Sequence, residues 1–388
     1  MTATRRIFRT VSDVSTDTPE RLAARMLCVG FEGHTLPETA RSLYADGIGF
    51  AVLFARNVES PKQLADLNES IKAAGNDHGA LPLICVDQEG GRVRRLRDGF
   101  TAIPSMRDLG QAAASSKDPA ALARSVGNVL GTELRAVGID IGFAPVLDVD
   151  TNPDNPVIAD RSLGRDPATV ATLGCALIEG IQSAGVGACG KHFPGHGDTS
   201  QDSHHHLPRL DHTLARLREV ELVPFIAAAK VDVAAMMSSH IVFSPLDADH
   251  PASLSARVLE TLLRGELKFD GVVFTDDMEM SAIAKFYDFD DAVVRAIEAG
   301  ADVVTICHTL SKQRRAIEVI AGAIKSGRLS RERIAKSIAR IDCLATRFGR
   351  AVTFEPMSLN HAGHRDLMAR VGSDSRGDDP TRYRPEPV

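Results

Sequence analysis

The 388-residue sequence has no run of 18 apolar residues, and its basic start is not followed by an apolar stretch. No membrane-spanning helix and no cleaved secretory leader are therefore expected. Paired cysteines are missing too. Cys28, Cys85, Cys175, Cys189, Cys307 and Cys343 stand singly among aliphatic and small residues with no C-x-x-C spacing, which argues against a disulfide framework and for buried free thiols in a reducing compartment, the cytoplasm. Charge of one sign is not in excess: the net value is −6 with acids and bases interspersed, so neither nucleic acid nor an anionic membrane surface is an expected partner. The sequence has no internal repeat beyond an alternation of strand and helix, and no interdomain linker.

What is present supports a full core, with 44% hydrophobic residues. Length alone would allow two or three domains, but one α/β barrel of this size is ordinary. Short β-rich runs at 26–30, 50–54, 83–86, 142–147, 186–189, 234–238, 272–274 and 303–307 alternate with stretches at 61–74, 120–137, 168–184, 214–229, 254–267, 291–299 and 313–324, whose apolar residues recur at i, i+3, i+4 and i+7. Eight such repeats predict an α/β fold, a single (β/α)8 TIM-like barrel with its chemistry on the loops at the strand C-termini. The reading gives an N-terminal extension over 1–20, a barrel over 21–350 with a peripheral helix at 331–348, and a C-terminal extension over 351–388. From about residue 372 that extension is too polar and too rich in Gly and Pro to bury a face, and disorder or loose surface contact is expected.

Polar residues follow the apolar runs where such a barrel needs them. The densest stretch is KHFPGHGDTSQDSHHHLP at 191–208, and so many polar groups cannot be buried without partners. Asp202 and His204 are two apart, which in an extended segment turns both to one side and lets the carboxylate orient the imidazole, making His204 a candidate acid/base. A histidine-rich solvated loop is the bland alternative. After 83–86 comes DQEGGRVRR, where Asp87 is placed to accept hydrogen bonds from two vicinal hydroxyls, the usual grip on a sugar; a surface turn with structural ion pairs is the other reading. Asp148, Asp150 and Asp154 imitate a calcium loop but lack its glycine and its glutamate, so no metal is expected there. Thr275-Asp276-Asp277 ends the run at 272–274, and strand alternation lets one acid face the pocket; Asp276 is expected there, with Asp277 turned to a neighbouring helix end or ion pair.

In order, V-D-Q-E-G-G-R-V, D-R-S-L-G, K-H-F-P-G-H-G-D-T-x-x-D-S-H-x-x-L-P and F-T-D-D-M make the chain similar, over about residues 24–350, to glycoside hydrolase family 3, and in particular to its bacterial cytoplasmic β-N-acetylglucosaminidases of peptidoglycan recycling. The resemblance implies that Asp276 is the nucleophile and that His204, paired with Asp202, is the acid/base of a retaining double displacement. It implies that Asp87, Arg95, Arg161, Lys191 and His192 bind the hydroxyls of N-acetylglucosamine. It further implies a muropeptide substrate and no cofactor or metal, and a monomer is expected. His205 and His206 are left unassigned. Many members carry a second α/β domain for which this sequence has no room. Three rivals stay open: a phosphorylase of the same family, a metal-dependent barrel hydrolase using His192, His196 and the histidines at 204–206, and a catalytically dead sugar-binding module.

Overall fold

In a computed structural model describing residues 17–76, 81–199, 207–372 and 379–381, the eight apolar runs close into one parallel barrel. Its strands are β1 Leu27–Val29, β2 Phe50–Leu53, β3 Leu83–Val86, β4 Ile141–Gly142, β5 Gly187–Phe193, β6 Ala235–Ser238, β7 Val272–Asp277 and β8 Val303–Ile306. Each pairs with its sequence neighbour, and β8 pairs with β1. The runs read as uninterrupted apolar segments because such strands are covered on both faces, by the filled interior and by the helices outside. Phe50, Phe143 and Phe274 meet inside, with ring centroids 5.1 Å (Phe50 to Phe274) and 5.3 Å (Phe143 to Phe274) apart.

The outer helices begin where their sequences prepare them. Asp118, Asp166 and Ser330 each accept an amide N–H from the first turn of Pro119–Ala136, Pro167–Ser183 and Arg331–Phe348, which removes unpaired donors from the helix start. The last of these packs outside the barrel through Ile334, Ile338, Ile341, Leu344 and Phe348. At the strand N-terminal end, buried Asp140 accepts the Ile84 N–H (2.9 Å) and pairs with Lys72 (2.8 Å). Asp302 likewise accepts the Val273 N–H (3.0 Å) and pairs with Arg264 (2.6 Å). These two acids are part of the frame, far from the strand ends that carry chemistry.

The structure departs from the sequence expectations in several places, each with a local cause. The strand expected over 142–147 is only Ile141–Gly142 plus a bridge from Val146 to Lys191, since Pro145 offers the ladder no N–H. The helix expected over 214–229 is two, Leu214–Glu219 and Val223–Lys230. Pro224 cannot sit inside a helix without clashing with the preceding turn, so it starts the second one. The stretch at 254–267 is a π-helix over Arg257–Glu266. Cys343 is exposed and Cys175 is partly so, on outer helix faces, while the other four thiols are buried. Among the described residues no helix is long and apolar enough to cross a membrane.

Candidate active site

Strand β3 runs straight into a short antiparallel hairpin, Gln88–Gly90 with Val93–Arg94, and this folds Asp87, Glu89 and Arg95 together at the barrel mouth. Lys191, in the last turn of pleat of β5, reaches between the two acids. Its ammonium lies 2.7 Å from Asp87 Oδ1 and 2.5 Å from Glu89 Oε1. Glu89 also takes a two-pronged contact from Arg161, 2.8 and 2.9 Å, and Asp87 Oδ2 lies 3.2 Å from Arg95 Nη2. Burial works against every one of these charges. The cations nevertheless hold Asp87 below the usual carboxylate range and Glu89 far below it, while the acids push Arg95, Arg161 and Lys191 up. The cluster is therefore fully ionised, a preformed grid of donors and acceptors of the kind that matches neighbouring sugar hydroxyls.

Beside it Asp148 fixes the segment after β5. Its carboxylate contacts His192 Nδ1 at 2.7 Å and accepts the backbone N–H of His192 (3.1 Å) and of His196 (2.7 Å). This fixes the His192 ring with Nε2 toward Arg161, 3.5 Å away. Burial, reinforced by His192, lowers His196 to about 4, and its Nδ1 accepts from the Thr199 hydroxyl (2.8 Å). Asn155 donates to the carbonyls of His196 (2.9 Å) and Gly197 (3.1 Å). Gly197 is required here because a Cβ would lie 1.7 Å from the Val149 carbonyl oxygen. Asp198 accepts from Thr151 (2.8 Å) and contacts His212, so the segment is anchored on both sides of 200–206. Asp202 and His204 fall within 200–206 and lie outside the described residues.

Across the mouth stands β7. Its register against β8 passes from Phe274–Val303 to Asp277–Thr305, one residue longer on β7 than on β8, a bulge that re-aims the side chains beside it. Asp277 is tied down: Oδ1 accepts the Cys307 N–H (3.2 Å) and the Glu279 N–H (3.1 Å), and Oδ2 lies 3.4 Å from His308 Nε2. Asp276 is partly exposed, and among the described residues the one hydrogen bond to its carboxylate is from the Asp277 N–H, 2.9 Å. Buried His240 bonds Ser253 (2.7 Å) and the Asp277 carbonyl (3.0 Å). Burial lowers its pKa while the nearby Asp276 charge opposes the shift.

Sequence reasoning missed Glu89 and Asp148 as members of the site. Both hold other residues in place: Glu89 is shared by two cations, and Asp148 serves a ring and two amides instead of a calcium ion. One signal pointed to Glu89, its place two residues after Asp87 at a strand end. Lys191 and His192 belong to β5 itself, not to the loop that follows it. Among the described residues, the side chains whose ligand atoms group within 4.8 Å are Asp277, Cys307 and His308; of the metal-hydrolase rival's histidines, those at 204–206 lie outside the described residues. Burial pushes the Cys307 thiol well up.

A closed parallel barrel that gathers buried ion pairs at one side of its C-terminal mouth and, among the described residues, leaves the Asp276 carboxylate with a single neighbouring amide at the other is a (β/α)8 enzyme, with its reaction at the strand ends. The chain belongs to glycoside hydrolase family 3: the sequence profile of the glycosyl hydrolase family 3 N-terminal domain matches residues 23–344. A β-hexosaminidase of Nitrosomonas eutropha is 40% identical over 284 residues, 73% of this chain and 80% of that one. The fold is similar to that of a family 3 β-N-acetylglucosaminidase from Paenibacillus sp. str. FPU-7, with 41% identity and a TM-score of 0.88 over 92% of this chain and 69% of that one. It is also similar to NagZ from Neisseria gonorrhoeae in complex with N-trifluoroacetyl-D-glucosamine, with 31% identity and a TM-score of 0.75 over 89% of this chain and 96% of that one.

Proposed function

We propose that this glycoside hydrolase is a retaining exo-β-N-acetylglucosaminidase that removes terminal N-acetylglucosamine from peptidoglycan fragments, muropeptides ending in an anhydro-sugar, in the cytoplasm. The observation that carries the reading is Asp276 on the strand opposite β3 in the ring, its carboxylate bonded among the described residues to the Asp277 N–H alone, with the ionised Asp87–Lys191–Arg95 cluster at the end of β3. The β-hexosaminidase and β-N-acetylglucosaminidase relatives support the choice of sugar.

Asp87, Arg95, Arg161, Lys191 and His192 bind the sugar hydroxyls, with Glu89 and Asp148 holding the last three of these in position. Asp276 attacks the anomeric carbon while the glycosidic oxygen leaves with a proton from His204, and Asp202 balances the imidazolium charge. His204 then takes a proton from water, which attacks the ester, frees Asp276 and returns the β-anomer. An imidazole near its ordinary pKa suits a proton shuttle at neutral pH, where a carboxylic acid would need burial to stay protonated.

Two variants test the roles with aryl β-N-acetylglucosaminides. Asp276→Ala should lower kcat by roughly 10⁴-fold or more. His204→Ala should lower it by about 10²- to 10⁴-fold for a poor leaving group and far less for an acidic phenol that departs without a proton. Equal damage to both substrates would remove His204 from the acid role. With water as the final acceptor, turnover and the free-sugar product are the same in phosphate and phosphate-free buffer; a sugar 1-phosphate product would instead mark a phosphorylase.

A further inference from the structure

The Arg95 end of the cluster is completed from outside the barrel. Arg161 is matched by Glu89 and, at longer range, by buried Asp148, and Lys191 by Asp87 and Glu89, while the barrel acid in contact with Arg95 is Asp87, which it shares with Lys191. A buried cation without a counter-charge is costly. A further carboxylate comes from Asp379, close to the end of the chain, which pairs with Arg95 Nη1. Thr381 adds its hydroxyl 2.6 Å from Arg95 Nη2, and its own amide and hydroxyl bond Asp379 Oδ1 at 2.9 and 2.7 Å. Arg95 thus shares Nη2 between Asp87 and Thr381 and gives Nη1 to Asp379, and its side chain is only 4% exposed.

The side from which this segment arrives matters. The helix Ala362–Val371 lies against the helices Met106–Ala114 and Pro119–Ala136, and Gly372 leaves it beside Asp108. This is the β3 side of the mouth. In the eight-strand ring β3 and β7 are four places apart, hence diametrically opposite. In the reaction proposed above, a pyranose whose C1 meets Asp276 on β7 turns its C4 edge toward Asp87 and Arg95, which follow β3, so that a second sugar linked at O4 would have to pass Arg95. The residues that meet Arg95 from the C-terminal segment are Asp379 and Thr381.

We propose that the segment at Asp379 and Thr381 is the wall that closes the non-reducing end of the sugar site, making the enzyme exo-acting while it holds Arg95 for the sugar's outer hydroxyls. The inference rests on the function proposed above. The test compares the full chain with the Asp379→Ala, Thr381→Val double variant and with a chain ending at Gly372, on the aryl β-glycosides of N-acetylglucosamine and of N,N′-diacetylchitobiose. The expected result is a KM for the monosaccharide glycoside raised by about tenfold in both variants, as Arg95 loses its outer partner, together with direct release of intact diacetylchitobiose, which the unaltered chain does not release. An unchanged KM with no intact disaccharide would overturn the wall. So would a rise in kcat/KM for the monosaccharide glycoside, since it would mean that the segment obstructs the sugar site. If the unaltered chain hydrolysed neither glycoside, the function itself would fall, and this inference with it.

Discussion

Glu89 is a single buried carboxylate shared by Arg161 and Lys191, and its loss leaves two cations facing one another with one acid fewer. Glu89→Gln should destabilise the fold by about 3–5 kcal/mol, read as a shift of the urea midpoint. Because the folded-state pKa values of Asp87 and Glu89 are depressed, their contribution is fully present above the unfolded value near 4 and is lost as pH falls through the lower folded values. His196 sets a different window. Its imidazole, near 6.5 when unfolded, is lowered to about 4 in the fold, so between those values the unfolded chain binds a proton that the folded one refuses. Stability therefore falls as pH drops from 6.5 towards 4. His196→Gln, which keeps an acceptor for Thr199, should flatten the urea midpoint over that window; an unchanged slope would show that His196 titrates normally.

The elements decide how such residues are aimed. The apolar runs were legible as barrel strands because burial on both faces leaves no polar position to confuse the pattern, and all eight appear. What strand periodicity could not show was the bulge in β7, a matter of pairing with β8, and it is this bulge that sits at Asp276 and Asp277. Nor could helical periodicity foresee the break at Pro224 or the π-helix at Arg257–Glu266, since apolar spacing barely changes when one backbone bond is reassigned. Two further outcomes belong here. Gly197→Ala forces a Cβ against the Val149 carbonyl, which must displace the segment leading to 200–206; kcat should fall by about 10²-fold, with a stability cost of about 1–3 kcal/mol in the urea midpoint. Lys72→Met strands the buried Asp140 charge at the opposite end of the barrel and should cost about 3–5 kcal/mol of stability in the urea midpoint, with kcat and KM retained.

At the scale of the molecule, the ring places the ionised cluster after β3 and Asp276 on β7, strands four places apart, and in the proposed reaction one sugar spans them. The strand-end acids and bases were readable from the sequence as candidates, since polar residues directly after an apolar run have few other uses. Their partners were not: Glu89 looked like one more charge in a turn, Asp148 like a defective calcium ligand, and Asp379 like part of a polar tail with no periodicity to place it. Three-dimensional charge balance, which spacing along a chain does not encode, joins them. The central claim is that Asp276 closes on the anomeric carbon of a sugar held from the β3 side. An activated fluorinated N-acetylglucosamine analogue that forms the glycosyl ester quickly and releases it slowly tests this directly, with the labelled peptide identified by mass spectrometry. The account predicts one sugar per chain, esterified to Asp276, and no labelling of Asp276→Ala; a label on any other residue, or none with inhibition still occurring, would contradict it.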